Sequence, residues 1–220
     1  MHRILSLSLA VALGVAMALP ADDAAPNTLS AKEKAEGWTL LFDGKDLNGW
    51  ESRQGGEWKV VGGAIMTDSP KGGGLYTTQE FGDFILRAEF RTTNDVNGGI
   101  YLRYNRAPAP PAQGDAKAKK AAVPRGYELQ IRDSRKGGYT TGSLVDAIQA
   151  DPGAKIVSNQ WNRFEVTAQG DHFVVMYNGR KILDGHDAKF ARGSIGLQWA
   201  HPERVPGRKI EFRNLKIKSL

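Results

Sequence analysis

The chain of 220 residues contains no cysteine and only four histidines. The absence of cysteine excludes a disulfide framework, a cysteine-ligated zinc or iron–sulfur site, a thiol nucleophile and a lipid-modified cysteine anchor. A metal ion would need histidine, carboxylate or carbonyl ligands, so a divalent metal stays open as a cofactor. The motifs of serine-elbow hydrolases, zinc peptidases and P-loop enzymes are also missing, and Gly72-Gly73-Gly74 is predicted to be a loop.

Long apolar runs are absent after the first 21 residues. His2 and Arg3 precede an apolar stretch from Ile4 to Leu19, and its end supplies small residues for cleavage in Ala16-Met17-Ala18 or, as a second option, in Leu19-Pro20-Ala21. This pattern is typical of a secretory signal peptide. The alternative is an uncleaved anchor, but the stretch is shorter than the roughly 20 residues that span a bilayer. We predict a signal peptide at 1–21, a periplasmic or secreted protein, and no membrane span after cleavage.

The composition is that of a globular protein, with 40% hydrophobic and 25% charged residues. Lys and Arg number 30 against 24 Asp and Glu, which gives a net charge of +6. The basic residues are dispersed among the acidic ones. The densest basic stretch, Lys117-Ala118-Lys119-Lys120, has no interleaved aromatic residues. We therefore expect no nucleic-acid partner.

Short segments with a two-residue alternation recur along the chain, and no long helical stripe is present. The clearest is Phe84-Ile85-Leu86-Arg87-Ala88-Glu89-Phe90-Arg91, in which apolar and polar residues alternate. The pattern predicts an all-β sandwich or jelly roll. We expect a linker at 22–36, where Ser30 and Glu33 fit a helix capping box, then one domain at 37–220. A surface insertion rich in Ala, Pro and Lys is predicted at 105–125.

Strand parity assigns side chains to faces because successive residues point to opposite sides. Ile100 and Leu102 should face the core, which places Tyr101 and Arg103 outside. The same argument places several more polar residues on an outer face, provided that their strands share a sheet: Glu128, Gln130, Arg132, Arg163, Glu165 and Gln198.

Planar hydrogen-bonding groups beside aromatic rings suit the paired hydroxyls and C–H surfaces of a sugar. The alternative is that an antiparallel sheet simply has one solvated face. Glu128 and Asp133 have opposite parity, so the two-carboxylate arrangement of glycosidases is not evident. His201 follows the last aromatic strand and could line a rim, although histidines at such positions are more often ordinary surface residues.

In order along the chain, several motifs resemble the 3-keto-disaccharide hydrolase domain family, which has a concanavalin-like jelly roll. The resemblance runs from about 37 to 219 and rests on these motifs: Gly37-Trp38-Thr39-Leu40-Leu41-Phe42-Asp43-Gly44, Leu47-Asn48-Gly49-Trp50, Gly82-Asp83-Phe84, Asn97-Gly98-Gly99-Ile100-Tyr101-Leu102-Arg103, Tyr127-Glu128-Leu129-Gln130-Ile131-Arg132-Asp133, Thr141-Gly142-Ser143-Leu144, Asn159-Gln160-Trp161-Asn162-Arg163, Gly196-Leu197-Gln198 and Glu211-Phe212-Arg213-Asn214-Leu215-Lys216-Ile217. The chain departs from the family at Gly98, where serine is common, and at Val145, where tyrosine is common.

The resemblance implies cleavage of 3-keto-glycosides by proton abstraction at C2, loss of the C1 substituent and addition of water. Glu128 is then expected to act as base or acid, and Arg103 to stabilise the enolate, a task that a divalent metal could take instead. His201 is a reserve base. The expected substrate-binding residues are Tyr101, Asn97, Gln130, Asp133 and Gln198.

Two other functional classes remain open at this point. The chain could be a non-catalytic carbohydrate-binding module of the cell envelope, with a sugar on the same polar face. It could also be a structural or adhesion domain, in which that face is merely solvated. For an enzyme or a binding module, the expected partner is a carbohydrate or keto-sugar. The oligomeric state is open.

Overall fold

The computed structural model describes residues 24–53, 55–93, 96–106, 125–133, 138–200 and 207–220. The signal peptide predicted at 1–21, most of the predicted insertion at 105–125, and His201 lie outside these residues. No helix in the described ranges has the length and apolar character needed to cross a bilayer.

In these ranges, one short helix precedes thirteen strands. In chain order they are α1 (Ala31–Ala35), β1 (Thr39–Leu40), β2 (Trp50–Arg53), β3 (Lys59–Val61), β4 (Ala64–Thr67), β5 (Gly73–Phe81), β6 (Phe84–Thr92), β7 (Gly98–Tyr104), β8 (Tyr127–Ile131), β9 (Asn162–Gln169), β10 (His172–Tyr177), β11 (Arg180–His186), β12 (Gly193–Trp199) and β13 (Ile210–Ser219). The all-β prediction is confirmed.

The strands form two antiparallel sheets that pack face to face. The larger has eight strands in the order β11-β10-β9-β6-β13-β4-β3, with β1 also paired to β13. The smaller has five in the order β2-β5-β12-β7-β8. Apolar residues that alternate along β6, β7, β9 and β12 form the core between the sheets. Each sheet therefore keeps a second, polar face on the outside of the sandwich.

The segment expected to be a linker is folded onto the larger sheet from residue 24 onward. Ser30 and Glu33 form the predicted capping box at the start of α1. Glu33 is only 3% exposed, and both its carboxylate oxygens accept hydrogen bonds from Lys216 Nζ at 2.9 Å. A buried ion pair of this kind links α1 to β13.

The glycine run at 72–74 is not a loop throughout, because Gly73 and Gly74 begin the nine-residue strand β5. A Cβ atom at Gly73 would lie 2.5 Å from the backbone nitrogen of Gly56, and one at Gly74 would lie 2.3 Å from the hydroxyl oxygen of Tyr76. These glycines thus permit close contacts that a larger residue would block.

Candidate active site

Four of the predicted site residues meet on the outer face of the five-stranded sheet. Tyr101 on β7 is directly opposite Glu128 on β8, and Gly99 on β7 is opposite both Gln130 and Gln198. The polar side chains thus surround Gly99 from three neighbouring strands. The parity prediction for Tyr101, Glu128, Gln130 and Gln198 agrees with this placement.

Gly99 leaves a recess at the centre of this group. A Cβ atom there would lie 3.2 Å from Gln198 Oε1, 3.3 Å from Glu128 Cγ and 3.0 Å from the carbonyl oxygen of Leu129. A carboxylate and an amide therefore flank a position that carries no side chain of its own. Such a recess, with a few converging polar groups, has the character of a small-molecule site.

Several polar atoms around the recess lack a hydrogen-bond partner within the described chain. They are Oε1 of Gln130, Oε1 of Gln198 and Nε of Arg132, all buried. Gln130 is only 1% exposed. The segment around Gly142 lies against β8, where the Gly142 N–H donates a hydrogen bond to the Gln130 carbonyl oxygen. Because buried polar groups are nearly always paired, two acceptors and one donor here are suited to a hydroxylated ligand.

A cluster of three tyrosines borders the recess. The ring of Tyr76 stacks on Tyr104 at 4.6 Å and on Tyr101 at 5.9 Å between centroids. Burial raises the pKa of Tyr101, and the nearby negative charge of Glu128 raises this pKa further. Gln198 Nε2 donates to the Tyr101 hydroxyl oxygen at 2.8 Å. The Tyr101 phenol is therefore protonated at neutral pH, and its own O–H can be donated to a ligand.

Arg103 is not part of this face, contrary to the parity prediction. It has a positive φ of 51°. In the pairing of β7 with β12, Tyr101 is opposite Gly196 and Tyr104 is opposite Ser194. Two residues of β7 therefore lie in an interval where β12 has only one. This β-bulge adds one residue, so Arg103 turns inward and Tyr104 takes the outward position beside Tyr101.

The guanidinium of Arg103 is 1% exposed and fully engaged in the interior. It donates to the carbonyl oxygens of Gly82 at 2.8 Å, Gly170 at 2.7 Å and Phe190 at 3.0 Å, and to Asp83 Oδ1 at 3.0 Å. It thereby ties together three loops at one end of the sandwich. Arg103 does not reach a ligand on the outer face, so its expected role at an enolate is withdrawn.

The other predicted residues have different positions. Asp133 accepts hydrogen bonds from the Thr141 hydroxyl at 2.8 Å and from Ile156 N–H at 2.9 Å, so its carboxylate holds a loop. Asn97 precedes Gly98 and Gly99 at the start of β7, has the parity of the outer face, and accepts from Ala200 N–H through its carbonyl oxygen at 3.0 Å. His201 lies outside the described residues.

Arg163 and Glu165 belong to β9 of the eight-stranded sheet, so the condition that all these strands share one sheet is not met. Sequence reasoning also missed Tyr76 and Tyr104. The alternation of Leu75 inside and Tyr76 outside was hidden by the glycines before it, and Tyr104 was displaced by the bulge. Within the described ranges, no group of three or more histidine and acidic side chains is arranged to hold a metal ion.

Comparisons with known proteins agree with this architecture. Residues 37–218 match the family described as the 3-keto-alpha-glucoside-1,2-lyase-like domain. A curated relative, a 3-keto-disaccharide hydrolase of Bacteroides thetaiotaomicron, is 23% identical over 181 residues. This match covers 73% of the chain and 62% of the relative, so the chain spans about three-fifths of the relative's length.

Solved structures show the same fold. A Parabacteroides distasonis protein assigned to the glycosyl hydrolases has a TM-score of 0.71 and 22% identity, over 89% of this chain and all of that one. A carbohydrate-binding module of Bacillus subtilis has a TM-score of 0.52 and 18% identity, over 78% and 96% of the two chains. These likenesses confirm the jelly-roll prediction. Because its family match covers most of the chain, this protein belongs to the 3-keto-alpha-glucoside-1,2-lyase-like domain family.

Proposed function

We propose that the chain cleaves 3-keto-glycosides at the recess over Gly99. The observation that carries this proposal is the convergence of Glu128, Tyr101, Gln130 and Gln198 around a glycine on one face of the sheet. An elimination next to a ketone requires a base for the C2 proton and a hydrogen-bond donor for the enolate oxygen, which Glu128 and the protonated Tyr101 phenol can supply. The family match supports the same reaction class.

In the proposed reaction, the ketone at C3 acidifies the proton on C2. The Glu128 carboxylate takes this proton, and the electron pair forms an enolate whose oxygen accepts a hydrogen bond from the Tyr101 O–H. The enolate then collapses, the C1–O bond breaks, and the proton on Glu128 is available to the departing oxygen. Water adds to the resulting enone, so the sum is hydrolysis of the glycoside. Gln130 and Gln198 would hold the sugar hydroxyls.

The test is turnover of a chromogenic 3-keto-glucoside by the purified protein, beside the unoxidised glucoside and with or without chelator. The keto form alone should be cleaved. Glu128→Gln should lower kcat about 10³-fold, the range for loss of a general base, with an unchanged melting temperature. Glu57→Gln, an exposed control, should leave kcat unaltered. Near-normal turnover by Glu128→Gln would remove Glu128 from the mechanism.

The second candidate is a non-catalytic carbohydrate-binding module on the same face. The likeness to a solved carbohydrate-binding module favours it. Of the four polar residues around Gly99, Glu128 alone is a carboxylate, whereas the usual glycosidase arrangement has two. Binding of a keto-sugar without turnover, by folded protein with and without added divalent metal, would select this reading. Neither binding nor turnover would favour a structural domain of the envelope.

We also propose that the protein acts outside the cytoplasm, on the basis of the leader-like stretch at 1–21. Expression of the full chain in a bacterium, followed by cell fractionation and N-terminal sequencing, tests this. If the proposal is correct, the protein is recovered outside the cytoplasm and its N-terminus lies close to residue 22.

A further inference from the structure

A second recess lies on the opposite side of the sandwich, on the outer face of the eight-stranded sheet. Its volume is about 210 Å³. Four cationic side chains and one acidic side chain line it, namely Arg87, Arg163, Arg213, Lys216 and Glu89. We call it the basic recess.

Two arginines of the basic recess flank one carboxylate. Glu89 on β6 is opposite Arg163 on β9 and opposite Arg213 on β13. Arg213 Nε donates to Glu89 Oε2 at 2.7 Å, whereas the closest ion pair of Arg163 is with Glu165 at 3.8 Å. Among the described residues, neither the Arg163 guanidinium nor the Nη atoms of Arg213 have a hydrogen-bond acceptor. Their donors therefore remain available to a ligand.

The position of Arg213 is fixed by its surroundings. Its guanidinium stacks over the ring of Trp161 at 4.1 Å, a contact that restrains a long side chain. The next residue, Asn214, has a positive φ of 50° and forms a reciprocal pair of hydrogen bonds with Asn27 at 2.6 and 2.9 Å. This pair anchors the segment that contains Pro26, which forms one wall of the basic recess.

The lining of the basic recess carries three arginines and one carboxylate, Glu89, whose Oε2 already accepts a hydrogen bond from Arg213 Nε. Guanidinium groups bind carboxylate, sulfate and phosphate with two parallel hydrogen bonds. We propose that the basic recess binds an oxyanion, with Arg163 and Arg213 as the donors.

The volume admits an anion carried on a small polar molecule, such as the carboxylate of a saccharide acid, as well as a free sulfate ion. The proposal does not depend on the function proposed for the other face. Isothermal titration of the full-length protein with glucuronate, with sulfate and with neutral glucose separates the sources. Glucuronate or sulfate should bind, glucose should not, and added sodium chloride should weaken binding.

Variants test the assigned donors. Arg163→Gln, which loses no short ion pair, should weaken anion binding about tenfold, as expected for one charge-assisted hydrogen bond, without a change in melting temperature. Arg213→Gln should weaken it at least as much. The control Arg192→Gln removes an exposed cation that contacts Glu80 through a 3.9 Å ion pair and a hydrogen bond to its carbonyl oxygen, and it should bind like wild type. The Trp161 indole resonance should shift on titration.

Three results would overturn the proposal. They are absence of binding by wild-type protein at millimolar anion, equal binding of glucose, and undiminished binding by the Arg163→Gln and Arg213→Gln variants. Binding of sulfate and glucuronate alike supports the oxyanion site and identifies the charged group as the recognised part. Binding of glucuronate alone supports it and identifies a saccharide acid as the source.

Discussion

Replacement of Arg103 by methionine distinguishes a structural role from a catalytic one. Methionine has a similar length and keeps the side chain buried, but it removes every donor of the guanidinium. The carbonyl oxygens of Gly82, Gly170 and Phe190 then lose their hydrogen bonds from Arg103, and Asp83 loses its cation. The substitution therefore acts on three loops at once.

The expected cost follows from the number of acceptors left behind. Each hydrogen bond that the charged guanidinium donates to these partly buried carbonyls contributes about 1 kcal/mol or more. Asp83 is 41% exposed, so solvent screens its loss and we add nothing for it. The sum starts at about 3 kcal/mol, in the range for a broken buried pair. For a domain of this size, 3–5 kcal/mol lowers the melting temperature by about 10 °C.

Urea unfolding at 25 °C, with circular dichroism as the probe, measures this change. Arg192→Met is the matched control, because that side chain is 64% exposed, and it should alter the free energy of unfolding by less than about 0.5 kcal/mol. If Arg103→Met keeps the wild-type stability but abolishes cleavage of a keto-glycoside, Arg103 acts at the reacting atoms and the structural assignment is wrong.

Two further predictions concern the recess and the surface. Gly99→Ala should lower kcat/KM about 10²-fold, since its Cβ would displace Glu128 and Gln198. In the control Gly82→Ala, the nearest atom to the new Cβ is the Ala191 carbonyl oxygen at 3.7 Å, an ordinary contact, and activity should be retained; equal activity of both variants would contradict the assigned recess.

Hydrogen bonds from His172 and Lys181 lower the pKa of Asp184 to about 2 from 3.8. Because the folded pKa lies below the unfolded one, the carboxylate stabilises the protein above about pH 4, and this contribution is lost as the pH falls through about 2. The difference in unfolding free energy between wild type and Asp184→Asn should shrink over that interval, whereas a constant difference would refute the assignment.

Much of the sandwich can be predicted from the alternation of residues. Along β6, Phe84, Leu86, Ala88 and Phe90 are buried and the residues between them are partly exposed, as expected. The same parity places Tyr101 and Glu128 on the outer face, because each lies between core residues and Tyr101 precedes the bulge of β7. Local signals also suffice for the capping box of Ser30 and Glu33, whose members lie three residues apart.

Three features depend on information that alternation does not contain. A β-bulge shifts the parity of every residue after it, and nothing in the residues around Arg103 marks the extra position. Membership of a sheet is a property of topology, so Arg163 was grouped with strands of the other sheet. The burial of Glu33 results from an ion pair with Lys216, 183 residues away in sequence.

The position of β13 has a consequence for how the protein acquires its structure. This strand, at Ile210–Ser219, pairs with β6 on one side and β4 on the other, and also with β1. Until it is synthesised, β6 and β4 have no shared neighbour, and the larger sheet remains in two parts. Pairing between distant segments is slow because the intervening chain must first be closed into a loop. The larger sheet of the emerging chain thus stays incomplete until residue 219 is available.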